Sequence, residues 1–163
     1  MMWLPSPQSF LAAHPIAGFT HPSPQCIPDR TWTALSWERV DADTHAGFDR
    51  ARPSQWTAPQ LGLYQVVFGF TVRDRAPGVL SLAPLVDGVP QWTAHQRFAG
   101  IDEDQDPETA DYVPVSWAGG VGLDAGAVLE AGVWHDFGGV MPIDSGAHMT
   151  VLYMSAGADW GAP

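Results

Sequence analysis

LYQVVFGFTVR, residues 63–73, places Tyr64, Val66, Phe68, Phe70 and Val72 on one side and Leu63, Gln65, Val67, Gly69, Thr71 and Arg73 on the other. Alternation with a period of two is the mark of a strand, and the aromatic and β-branched row belongs in a core. The same reading extends outward. Residues 79–86 and 90–98 flank Asp87-Gly88, a dipeptide that tolerates positive φ and suits a two-residue hairpin turn. Residues 31–40, 55–58, 112–123, 127–137 and 149–155 read as further strands, with Ala127, Leu129, Ala131, Val133, His135 and Phe137 sharing one face. No helix has a credible run, because 17 glycines and 15 prolines punctuate the 163 residues too often. The expected fold is therefore all-β, a sandwich of about eight to ten antiparallel strands, either a jelly roll or an immunoglobulin-like arrangement.

The charge pattern narrows the function. Hydrophobic residues make up 45% and charged residues 15%, a balance that supports a packed core. The chain has seven arginines, no lysine and eighteen acids, for a net charge of -11, which excludes a phosphate-neutralising nucleic-acid clamp. The whole excess lies after residue 75, where Arg97 stands against twelve acids. Six of these, Asp102, Glu103, Asp104, Asp106, Glu108 and Asp111, crowd one Pro-containing stretch that reads as an exposed loop.

Residues 1–28 hold six prolines among apolar residues that lack charged neighbours, including Trp3, Leu4, Phe10, Leu11 and Phe19. Proline forbids a helix there, so the segment is expected to be an extended arm that lies on its own domain or docks on a neighbouring subunit. The expected division is an arm at 1–28, a head at 29–158 and a tail at 159–163. A single cysteine, Cys26, forms no intrachain disulfide, and the N-terminus lacks the basic start of a secretory signal.

Asp43-Thr44 and Gly47-Phe48-Asp49, followed by Trp56-Thr57-Ala58-Pro59, Gly62 and Tyr64, resemble the signature of the complement globular head and tumour necrosis factor superfamily. In that family an aromatic-Thr-Ala-Pro-x-x-Gly-x-Tyr run leads into a central strand. LDAGAVL at 123–129 resembles the family's Gly-containing hairpin between two late strands. The resemblance implies a jelly roll and a homo-oligomer, most simply a trimer about a three-fold axis. The final strand departs from the family pattern, and no collagen-like repeat precedes the head. Short heads of this kind with an extended arm resemble structural proteins of tailed bacteriophages.

Chemistry is sparsely signalled. Ser145, His135 or His148 and Asp136 or Asp144 can be drawn as a triad, but no Gly-x-Ser-x-Gly elbow accompanies them, so no catalytic residue and no cofactor is expected. The six histidines form no zinc motif, although a three-fold axis would collect one from each subunit. Asp102, Asp104 and Asp106 are hard oxygen donors suited to calcium, yet Pro107 replaces the glycine of an EF-hand, and a solvated loop is the simpler reading. Trp92, Trp117 and Trp160 are the candidates for stacking on a glycan. The resulting expectation is a non-enzymatic virion protein made in a host cytoplasm, decorating a capsid or forming a head fibre or minor tail part. Its partners would be its own copies and the particle's capsid or tail proteins. A receptor- or carbohydrate-binding module of a host surface is the alternative, with no nucleic acid or membrane as partner.

Overall fold

The strand at Gly62–Arg73 (hereafter β6) lies at the centre of the larger of two sheets in the computed structural model, which describes residues 14–73, 77–98 and 112–156. Its alternation is realised as read: Tyr64, Val66, Phe68, Phe70 and Val72 are all buried. In chain order the strands are β1 (Ile16–His21), β2 (Gln25–Ile27), β3 (Thr33–Ala34), β4 (Arg39–Asp43), β5 (Trp56–Thr57), β6, β7 (Gly78–Val86), β8 (Val89–Pro90), β9 (Ala94–Phe98), β10 (Tyr112–Leu123), β11 (Val128–His135), β12 (Met141–Ile143) and β13 (Ala147–Ser155). All thirteen pair antiparallel, and no helix occurs among the described residues.

Several segments are halves of one interrupted line. β12 and β13 both run along one side of β6, and β2 and β1 continue beyond them, ending at β4. β10 covers the other side of β6 in a ladder from Tyr112↔Arg73 to Leu123↔Gly62. In the second sheet β3 and β5 share one flank of β11, while β7 lies on the other flank and carries β8 and β9. The chain crosses between sheets from β6 to β7, from β9 to β10, from β10 to β11 and from β11 to β12, so the two layers close over one core.

The expected hairpin is present, with Asp87 and Gly88 at φ 50° and 79°. Positive φ at both central residues is the turn that matches strand twist. Asp87 also accepts the Val128 N–H at 2.9 Å, fastening the turn to the start of β11. By contrast, residues 123–129 are not a hairpin. They carry the chain from one sheet to the other, with Gly126 N–H donating to the Ala58 carbonyl at 2.8 Å.

The N-terminal arm is a correction. Residues 16–27 are not an appendage: β1 pairs with β13 on one side and β4 on the other, and β2 pairs with β12. Phe19 is buried in the core against Trp37 and Phe48, so it is unavailable as a docking residue. Pro15, Pro22, Pro24 and Pro28 stand at the borders of these two strands, where a missing N–H costs no ladder bond. The remaining arm candidates, Trp3, Leu4, Phe10 and Leu11, lie outside the described residues. The strand expected at 31–40 divides into β3 and β4, with Leu35 and Trp37 turned into the core between them.

The signature residues tie this N-terminal layer to β6. Asp43 accepts the N–H groups of Gly47 and Phe48 at 3.2 and 2.9 Å, and the Trp56 indole at 3.4 Å. Trp56 meets Tyr64 edge-on at 5.6 Å, and the Tyr64 hydroxyl donates to the Gln60 carbonyl at 2.7 Å. Gly62 serves close approach rather than a turn, since a Cβ there would stand 2.7 Å from the Ser155 carbonyl oxygen. Burial pushes the Tyr64 phenol above its ordinary range. That contribution to stability is complete below a pH of about 10 and is lost at higher pH, because the unfolded chain releases the proton first.

Truncation separates the two boundaries. A chain starting at His14 is expected to keep a cooperative urea transition, whereas one starting at Asp29 loses β1 and β2 and with them the burial of Phe19 and Ile27. Two large buried side chains at about 2–5 kcal/mol each are comparable to the whole stability of a small domain, and two strands' ladder bonds go with them, so the shorter chain is expected to be unfolded by circular dichroism. A folded chain from Asp29 would contradict the strand assignment.

Candidate functional site

Two features of the sheet surfaces come from local sequence. The first is Trp92. Pro84 lies in β7 and has no N–H to offer the line beside it, and the facing residues 91–93 leave the ladder between β8 and β9. Trp92 within this break has φ 48°, a conformation costly for a bulky residue, and its ring is 75% exposed. The indole N–H of Trp117 donates to its carbonyl at 2.7 Å and holds the break in place. Trp117 itself is only 6% exposed and stacks on Phe68 at 5.9 Å. It is a core residue and cannot stack on a sugar. Trp160 lies outside the described residues, as do Asp102, Asp104 and Asp106, so of the glycan candidates Trp92 alone is placed on the surface.

The second feature is the outer face of the larger sheet. Strand registers align its outward residues in rows that run β10, β6, β13, β1: Ser116, Gly69, His148, Thr20; then Ala118, Val67, Thr150, Gly18; then Gly120, Gln65, Leu152, Ile16. Among the described outward side chains of these four strands there is no Asp, Glu, Lys or Arg. Among the described residues charge returns at the edge strand β4, where Arg39 pairs with Asp41 at 3.1 Å. Tyr112, Leu152 and Met154 are exposed on this face by 52%, 38% and 58%. Around Gly69 the face is concave, a depression of ≈ 360 Å³ lined by Val67, Thr71, Pro114, Ser116, Gly146 and His148 among others. A Cβ on Gly69 would meet the Val115 carbonyl oxygen at 2.7 Å and Ser116 Cβ at 3.0 Å, so the strands approach here only because the side chain is missing.

Several other titratable groups are engaged structurally. His135 is fully buried, with Nε2 2.9 Å from the Ile27 carbonyl and Nδ1 3.6 Å from Asp29, and it ties the end of β2 to β11. Ser81 Oγ and His95 Nδ1 are 2.7 Å apart on neighbouring strands, and Glu130 accepts the Ser54 hydroxyl at 2.7 Å. Among the described residues no three His, Cys, Asp or Glu side chains gather into a metal-binding group. Cys26 is exposed.

Two ends of the head differ. Pro15 and Ser155 lie at the Leu63 end of β6, where the Pro15 carbonyl accepts the Tyr153 N–H and Ser155 stands opposite Leu63. Phe98 and Tyr112, which bracket the acidic residues 99–111, pair with Gly78 and Arg73 at the opposite end.

Two substitutions report on these sites. Trp92→Gly removes a ring that buries little and relieves the positive φ, so urea unfolding is expected to show a gain of up to about 1 kcal/mol. Gly69→Leu drives a side chain into backbone and is expected to cost about 1–3 kcal/mol. A Trp92→Gly variant less stable than the parent would show that the exposed ring packs on the head.

No protein-family model matches the sequence, and no curated protein matches it. Solved structures do. The globular domain of zebrafish complement 1qA protein aligns over 88% of this chain and 98% of its own, with a TM-score of 0.61 at 14% identity. The Eiger tumour necrosis factor of S. frugiperda aligns over 92% of this chain and 98% of its own, with a TM-score of 0.63 at 11% identity. Murine APRIL at pH 8.5 gives 86% and 99%, with a TM-score of 0.58 at 11% identity. With two antiparallel sheets closed over one core and near-complete coverage of these domains, the chain has the jelly-roll fold of the complement globular heads and tumour necrosis factors.

Proposed function

We propose that this chain is a non-enzymatic head that assembles with its own copies into a closed ring, a trimer, through the outer face of its larger sheet. The observation that carries the reading is the uncharged face formed by β10, β6, β13 and β1 on a chain of net charge -11. Identical acidic subunits repel one another, so they associate through whatever surface lacks charge, whereas a basic partner would be drawn to the acidic surfaces instead. With β6 and β10 of twelve residues and β13 of nine, a four-strand footprint at ~3.3 Å per residue and ~4.8 Å between strands is on the order of 600 Å². One partner's share of a specific interface is of similar size, about 800 Å².

In this reading the head belongs to a phage-like particle, as a capsid decoration, head fibre or minor tail component, and is located in the virion. The placement of Pro15 and Ser155 at one end of β6 and of Tyr112 at the other supports it, because the first end suits attachment and the second suits display. The alternative, a module that binds a host-surface glycan, is favoured by Trp92, an exposed ring held in a strained backbone. A glycan array that gives specific binding, abolished by Trp92→Ala, would favour that second reading.

Ala118→Glu and Thr150→Glu test the assembly. Both positions are solvent-exposed in the isolated head, so the variants are expected to fold as the parent does. Each places a carboxylate in the middle row of the face, and light scattering after size exclusion is expected to show monomers where the parent is oligomeric. Oligomers that survive both substitutions would contradict the proposed interface.

A further inference from the structure

On the reading that copies pack over this face, we infer that assembly is switched by the protonation of His148, which the contact accepts only as neutral imidazole. His148 is the one titratable side chain among the described outward residues of the central strands β6, β13 and β1. It occupies the same row as Gly69 and Ser116, and its Cε1 stands 3.3 Å from where a Gly69 Cβ would be, so the ring leans over the bare backbone of β6 and walls the depression. No hydrogen bond or ion pair engages the imidazole among the described residues.

Among the described residues the surroundings offer a protonated ring no anion of its own. β6 presents Val67, Gly69 and Thr71 beside it, with Arg73 as its last residue. β10 presents Pro114 and Ser116, with the Tyr112 phenol farther along, and β1 presents Thr20. In β4, two strands away along the row, Arg39 is bound to Asp41 at 3.1 Å. On the core side of β1, His21 is next to Glu38 at 3.5 Å. Asp144, in the connection before β13, is tied by its backbone N–H to the Thr71 carbonyl at 3.4 Å and is engaged by a partner of its own. A ring of copies brings further uncharged faces and further copies of the same histidine, so covering the protonated form buries a cation without a counter-ion.

Histidine is the side chain that changes charge between pH 5 and 8. Where a contact takes only the neutral ring, the association constant falls about tenfold for each pH unit below the ring's pKa, for each histidine covered. The general charge of the chain works in the opposite direction. With a sequence pI of about 4.6, acidification towards pH 5 reduces the net negative charge and weakens repulsion between copies. Dissociation on acidification is thus the signature of the switch and not of bulk electrostatics.

Sedimentation velocity of the full chain at pH 7.5 and 5.0, at fixed ionic strength and with EDTA present, tests this. The expected result is an oligomer at pH 7.5 that associates at least about tenfold more weakly at pH 5.0, with unchanged circular dichroism. His148→Gln is expected to assemble at pH 5.0 at least as strongly as at pH 7.5, while His95→Gln keeps the parental response. An oligomer of the parent chain equally stable at both pH values, or a His148→Gln variant that still dissociates in acid, would overturn the switch and leave the interface standing. A monomer at both values would contradict the interface itself.

Discussion

The inward row of β6, Tyr64 to Val72, is the constraint on which the rest of the head depends. Tyr64, Phe68 and Val72 of that row touch different parts of the sandwich. Tyr64 meets Trp56 and Tyr153 edge-on, and Phe68 stacks on Trp117 of β10. Val72 stands opposite Ile143 of β12, which carries β2 on its far side. A strand buried on one face and paired along both edges leaves only its outer face free, and the properties of that face then follow from Leu63, Gln65, Val67, Gly69 and Thr71.

Much of this was legible from residue patterns, because strands with one buried face alternate strictly. β6, β11 and the Asp87-Gly88 hairpin were readable for that reason, with the inward rows as expected. β1 was not, since its six residues are hemmed by Pro15 and Pro22, and proline density at strand borders looks the same as proline density in an arm. Trp117 carried a signal that pointed inward: it shares a phase with Val115, Val121 and Leu123, all buried. The paucity of charge on both sides of residues 63–72 was visible early, but the uncharged surface could not be drawn without the pairing order that sets β10, β13 and β1 beside β6. The same holds for His148. Only register places it beside Gly69 and opposite Ser116.

The charge asymmetry acquires a spatial meaning. Phe98 and Tyr112, which flank the acidic residues 99–111 in sequence, stand at the Arg73 end of β6, while Pro15 and Ser155 stand at the Leu63 end. The surface between these ends is the uncharged sheet face. An acidic chain whose described residues leave one broad face free of charge is physically suited to self-association over that face.

The most direct measurement is hydroxyl-radical footprinting of the whole chain across a dilution series at pH 7.5. Tyr112 and Met154 lie on the uncharged face and Val140 is exposed elsewhere, at 52%, 58% and 65% in the isolated head. Covering of the face by neighbouring copies predicts that Tyr112 and Met154 become protected as protein concentration rises while Val140 keeps a constant rate. Equal reactivity of Tyr112 and Met154 at every concentration would contradict it.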